Sequence, residues 1–220
     1  MTQVILAAGG PPELWPDIKN EFFSSSIWVG VDRGTWHLLE QGIIPDMAVG
    51  DFDSLTKEEL ETVEKSVATI HYAQPEKDFT DTELGVHKTF IAYPEASLKI
   101  IGATGGRLDH LLSNLWLPFN SVLAPYTSQI SILDRQNSLS YFLPGEYVIE
   151  KESDKKYLAF VCLTEVEDLT LYDTKYHLTN QYVPRPISYA SNEFTGETAR
   201  FSFSKGIVVV IQSKDDKKNC

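Results

Sequence analysis

The stretch Met47-Ala48-Val49-Gly50-Asp51-Phe52-Asp53-Ser54 reads as a short buried strand that ends in a glycine and hands the chain to two carboxylates. An unbroken apolar run of this kind marks a strand covered on both faces, as in the parallel sheets of α/β proteins. Upstream, Val4-Ile5-Leu6-Ala7-Ala8 precedes Gly9-Gly10-Pro11-Pro12, and Ile27-Trp28-Val29-Gly30-Val31 precedes Asp32. Downstream, Ala68 to Tyr72 and Leu98-Lys99-Ile100-Ile101-Gly102 repeat the pattern. Helical stretches fall between them. Gly34 to Glu40 is closed by Gly42, and Thr56 to Glu64 has Thr56 or Ser54 as cap with Glu59 near the capping-box position. Asp81 to Tyr93 is stopped by Pro94, and Leu108 to Leu117 follows Gly105-Gly106-Arg107. Strands alternating with helices predict parallel pairing through right-handed crossovers. In such sheets ligands sit beyond the carboxyl ends of the strands. Asp32, Asp51, Asp78 and Gly102 to Arg107 all follow predicted strands.

The pattern changes after about residue 125. Ile130–Leu133, Ser138–Leu143, Tyr147–Ile149, Tyr157–Leu163, Leu169–Leu171, Ile187–Ala190, Thr198–Phe203 and Ile207–Ile211 read as short strands with no long helix among them. Turn signals such as Pro144-Gly145 and Lys205-Gly206 separate them, which predicts an antiparallel β-sandwich or barrel. The expected organisation is an α/β domain with a mainly parallel sheet over 1–135, then an all-β antiparallel sandwich over 136–220.

Composition narrows the function. A net charge of −12 over 220 residues lacks the basic footprint of a non-specific nucleic-acid binder and disfavours anionic membrane surfaces. No stretch approaches the about 20 apolar residues of a membrane span, and the opening residues lack the charged start of a signal peptide. Cys162 and Cys220 have no zinc-ligand spacing. A cytoplasmic protein is expected.

The two acidic clusters, Gly50-Asp51-Phe52-Asp53-Ser54 and Lys77-Asp78-Phe79-Thr80-Asp81, carry the chemistry. In extended backbone Asp51 and Asp53 point the same way, and two converging carboxylates suit Mg²⁺ with substrate phosphates as its other ligands. Aspartates in such loops also cap helices and stay solvated. The turn Gly102 to Arg107 before a helix suits phosphate oxygens, with Arg107 able to fork onto them, although it lacks the Walker spacing and structural turns of this composition are common. Asp109 equally fits a charge that favours the helix N-terminus, and Lys77 equally fits a solvated lysine. At this level a Mg²⁺-dependent phosphohydrolase, a nucleotidyltransferase and a non-catalytic nucleotide sensor all remain open.

Taken in order, Asp32-Arg33-Gly34, Pro45-Asp46 through Gly50-Asp51-Phe52-Asp53-Ser54, Asp78-Phe79-Thr80-Asp81, Gly105-Gly106-Arg107-Leu108-Asp109-His110 with Asn114, Lys175-Tyr176-His177-Leu178 and Ser191-Asn192-Glu193-Phe194 span nearly the whole chain. Together they resemble the thiamine pyrophosphokinase family. The resemblance implies transfer of the pyrophosphoryl group of ATP to the hydroxyl of thiamine, giving thiamine diphosphate and AMP. It implies Mg²⁺ on Asp51, Asp53 and Asp81, with Asp78 beside them and Asp81 as the candidate acceptor of the hydroxyl proton. ATP would meet Asp32, Lys77, Thr80, Gly105 and Arg107. Thiamine would meet Asp109 and Asn114 of one subunit of a homodimer and Tyr176, Ser191 and Asn192 of the other. The chain departs from the family at Arg33, where glycine is frequent, and at Ala190, where the residue before the serine is often glycine.

Overall fold

The computed structural model describes residues 2–19, 25–73 and 79–215. The chain divides into two units, residues 1–135 and 136–220. In the first unit β1 (Gln3–Ala7), β2 (Ile27–Val31), β3 (Met47–Gly50), β4 (Ile70–Tyr72), β5 (Ser97–Ile101) and β6 (Ile130–Leu133) lie in the order β6-β5-β1-β2-β3-β4. Every pairing among them is parallel. The helices are α1 (Arg33–Glu40), α2 (Lys57–Ser66), α3 (Asp81–Ala92) and α4 (Leu108–Leu115).

Both faces of this sheet are covered at its centre, which is why β2 and β3 are apolar throughout and β1 is apolar after Gln3. On one face Ile5, Ala7, Trp28 and Leu38 form one cluster, and Ala48, Phe52 and Val63 a second. On the other face α3 comes so near that a methyl on Gly85 would meet Val31 and Leu6. Burying each of the larger side chains, such as Ile5, Leu38, Phe52 and Val63, contributes about 1.5–3 kcal/mol. Thr56 and Thr80 start α2 and α3 with full capping boxes closed by Glu59 and Glu83.

The strand order reverses between β1 and β5, since the chain moves outward through β2, β3 and β4 before returning to β5 on the other side. Loops leaving the carboxyl ends of neighbouring strands on either side of such a point diverge and leave a crevice. The loops after β1 and β5 are tied together there, with the Gly10 amide donating to the Gly102 carbonyl at 2.8 Å.

The second unit is a sandwich of two four-stranded antiparallel layers. Its strands are β7 (Asn137–Phe142), β8 (Gly145–Glu150), β9 (Tyr157–Cys162), β10 (Val166–Tyr172), β11 (Leu178–Val183), β12 (Ile187–Asn192), β13 (Thr198–Phe203) and β14 (Val208–Ser213). One layer runs β12-β9-β14-β7 and the other β11-β10-β13-β8. Leu158, Phe160 and Val210 from the first face Leu169, Leu171 and Phe201 from the second. The sequence pattern missed β11. Only Val183 of that strand is buried, so it carries no apolar alternation to read.

Candidate active site

A cavity of about 710 Å³ opens at the carboxyl rim of the first unit's sheet. Its acidic wall comes from three places. Asp32 follows β2, Asp51 follows β3, and Asp81 is the first residue of α3, where a negative charge is favoured by the helix N-terminus. One carboxylate oxygen from each lies within 4.8 Å of the others.

Local backbone geometry brings them there. Asp32 has φ 44°, outside the usual regions for a side chain, and its Oδ1 accepts from the Phe52 amide at 3.2 Å instead of capping α1. Gly50 makes this approach possible, because a methyl on its Cα would stand 1.8 Å from Asp32 Oδ1. Phe52 itself has φ 58° and only 2 % of its surface exposed, so its ring anchors the loop under α2. This corrects the expectation of an extended Asp51-Phe52-Asp53 segment. The loop is a turn in which the Asp53 amide donates to Asp51 Oδ1 at 3.1 Å, and period-2 reasoning does not relate the two carboxylates. Asp53 lines the same cavity, while the three clustered carboxylates are those of Asp32, Asp51 and Asp81.

Burial pushes the Asp32 carboxyl up to about 7, and the neighbouring Asp81 and Asp51 charges push the same way. Three carboxylates crowded at one point are under-neutralised without a cation. Three carboxylate oxygens gathered within 4.8 Å are a donor set that fits a hard cation such as Mg²⁺.

The opposite wall is the turn after β5. Gly102, Ala103, Thr104, Gly106 and Arg107 line the cavity, while Gly105 lies against Leu14. Thr104 Oγ1 donates to Asp134 Oδ2 at 2.8 Å, which steadies the turn from the end of β6. Arg107 forks onto Asp109 through Nε at 3.1 Å and Nη2 at 2.6 Å, and both side chains are exposed. Asn114 on α4 is buried, donates to the Ala103 carbonyl at 3.1 Å and reaches the cavity. His110 and Ser113 complete this wall. Thr80 lines the cavity too, but its hydroxyl accepts from the Glu83 amide as the cap of α3, a use legible in the Thr80-to-Glu83 spacing. Lys77 and Asp78 lie outside the described residues.

Within the sandwich unit, Tyr176 and Asn192 meet and Ser191 adjoins them. Asn192 is 2 % exposed; its Oδ1 accepts from the Tyr176 and Glu193 amides and its Nδ2 donates to the Tyr176 carbonyl, all at 2.9 Å. Ser191, with φ 59°, sits where the β12–β9 register slips. Tyr176 is 58 % exposed.

With this geometry in place, comparison with known proteins decides the family. Residues 18–132 match the family model described as thiamin pyrophosphokinase, catalytic domain, and residues 146–208 match thiamin pyrophosphokinase, vitamin B1 binding domain. The chain belongs to the thiamin pyrophosphokinase family. It is 40 % identical over 217 residues to thiamine pyrophosphokinase of Bacillus subtilis (strain 168), covering 98 % of this chain and 100 % of that one. The crystal structure of a thiamin pyrophosphokinase family protein from Enterococcus faecalis is 52 % identical, with a TM-score of 0.93 over 98 % of this chain and 100 % of that chain. The crystal structure of the Bacillus subtilis enzyme is 38 % identical, with a TM-score of 0.85 over the same shares. Among the described residues no helix is long and apolar enough to cross a membrane.

Proposed function

We propose a division of labour among these residues in the reaction of the family. The chain is a transferase that moves the pyrophosphoryl group of ATP to the hydroxyl of thiamine, giving thiamine diphosphate and AMP. The observation that carries the residue assignment is the convergence of Asp32, Asp51 and Asp81 opposite a glycine turn and Arg107 across one cavity.

Asp32, Asp51 and Asp81 would hold Mg²⁺, with Asp53 beside them. The ion supplies charge neutralisation at the phosphates and orients them. The backbone amides of the turn after β5 receive phosphate oxygens. Arg107 exchanges its Asp109 partner for a phosphate oxygen, a trade between two anions that costs little at an exposed site. Catalysis then consists mainly of alignment of the attacking hydroxyl with the β-phosphorus and of fixed opposite charge. Lys77 and Asp78 belong to the same proposed set.

For thiamine, Asp109 and Asn114 supply polar contacts, and the exposed Tyr176 ring supplies a π face for the cationic thiazolium. Ser191 stands beside it. Asn192 acts by fixing the Tyr176 backbone, since its oxygen accepts from the Tyr176 amide and its nitrogen donates to the Tyr176 carbonyl. The assembly proposed is a cytoplasmic homodimer in which the sandwich residues serve the partner subunit's catalytic unit.

The deciding experiment incubates the protein with ATP, Mg²⁺ and thiamine and follows AMP and thiamine diphosphate together. Equal formation of both, lost without Mg²⁺ or thiamine, is expected. ADP or free phosphate as the product would overturn the assignment.

A further inference from the structure

The loop that carries Asp51 and Asp53 is gripped from outside at every second residue. The Phe52 amide donates to Asp32 Oδ1 at 3.2 Å. Arg33 Nη2 donates to the Ser54 carbonyl, and Arg33 Nη1 donates to Glu59 Oε1 at 2.8 Å. The other oxygen of that carboxylate, Glu59 Oε2, accepts from the Thr56 amide at 2.8 Å. Residues 52, 54 and 56 are thus fixed by two consecutive residues at the start of α1 and by the first turn of α2.

Arg33 occupies an electrostatically poor place for a cation. It is the first residue of α1, where the helix dipole disfavours positive charge by about 0.3–1 kcal/mol. It also lines the cavity beside Ser54 and Asp53. Its guanidinium is nevertheless bound on two sides, and its side chain is only 30 % exposed. The Thr56 amide and then Arg33 hold the Glu59 carboxyl below the usual range, so that partner stays ionised.

We infer that Arg33 is a positioning residue: through Ser54 and Glu59 it sets the loop that presents Asp51 and Asp53, and with it the cation affinity of the site. The inference rests on the metal-site proposal above. The planar fork of arginine reaches a carbonyl and a carboxylate at once, which the point charge of lysine reproduces poorly.

Mn²⁺ binding to the nucleotide-free protein, followed by electron paramagnetic resonance, tests this apart from activity. Arg33→Ala is expected to weaken Mn²⁺ binding about tenfold, the lower end for residues that orient metal ligands. Glu59→Gln is expected to weaken it by less, and the double variant by less than the product of the two. Arg33→Lys should recover only part of the loss. A purely electrostatic role gives the opposite sign, because removing a cation beside the site tightens Mn²⁺ binding. Tighter or unchanged binding in Arg33→Ala, or full recovery in Arg33→Lys, would overturn the inference. Should Arg33→Ala fail to fold, Glu59→Gln and Arg33→Lys carry the same test. Asp51→Asn is measured in parallel. If it leaves Mn²⁺ binding intact, the metal site itself is wrong and the clamp falls with it; if it abolishes binding while Arg33→Ala leaves binding unchanged or tighter, only the clamp fails.

Discussion

The acidic rim of the α/β unit and the Asn192 corner of the sandwich both hold polar side chains against backbone of positive φ, at Asp32 and Phe52 in one and at Ser191 in the other. Their polar groups are balanced in opposite ways. Asn192 exchanges three hydrogen bonds with Tyr176 and Glu193, so that its oxygen and nitrogen both have partners within the corner. Asp32 is pressed against Asp51 and Asp81, and its carboxyl is driven upward by burial and by like charge. A self-satisfied corner holds a neighbour in place, whereas a frustrated one stores a demand for a cation. The contrast separates positioning from chemistry within one chain.

The strongest way to break that comparison is to remove charge from the rim. Asp51→Asn should lower kcat by about a thousandfold while the fold persists, because the loss falls on charge stabilisation during transfer. Asp53→Asn, outside the three-carboxylate group, should cost less; equal losses in steady-state assays would place both on the same ion. At the sandwich corner the effect should appear as stability. Asn192→Ala removes the hydrogen bonds that hold the Tyr176 turn, leaving the Tyr176 carbonyl with only Thr174 Oγ1, at a cost of about 1–3 kcal/mol in urea denaturation. It should also raise the thiamine KM more than the ATP KM. Tyr176→Ala should raise the thiamine KM without the stability loss, since its ring is exposed.

Mixing Asp51→Asn and Tyr176→Ala subunits at a thiamine concentration far below the raised KM, where neither variant alone turns over, tests whether the two regions act across subunits. Random reassortment restores one intact site in each heterodimer, or about a quarter of wild-type activity. No recovery after verified subunit exchange would place both residues in sites of a single chain. A separate effect is expected on the thermal stability of the metal-free protein. A carboxyl raised from 3.8 to about 7 in the folded state contributes stability below its unfolded value, and that stability is lost as pH rises toward 7. Asp32→Asn should therefore raise the melting temperature relative to wild type more at pH 8 than at pH 5. Adding Mg²⁺ at pH 8 should shrink the difference. A pH-independent difference would mean that Asp32 does not titrate in this range.

Much of the fold is legible in the chain because its local signals agree. The apolar runs of β1, β2 and β3 announce strands covered on both faces, and Thr56 with Glu59 announces the start of α2. Strand β11 is silent for the reverse reason, since its side chains mostly face out. The acidic residues are equally visible, as residue types suited to a cation. What the sequence determined by itself is therefore the set of elements and the inventory of reactive groups.

Tertiary structure decided which of those groups meet. Asp32 joins Asp51 because β2 and β3 are adjacent and parallel, and because Gly50 leaves room for its carboxylate. Asp81 joins them because the capping box at Thr80 starts α3 there, beside the ends of those strands. Arg33 grips the Asp51 loop for the same topological reason, and Phe52 turns that loop out of the extended form that spacing alone suggests. Propensity and spacing act along the chain within a few residues. Convergence of charge at one point depends on strand order and on backbone packed closely enough to hold unusual dihedrals, and both exist only once the sheet has formed.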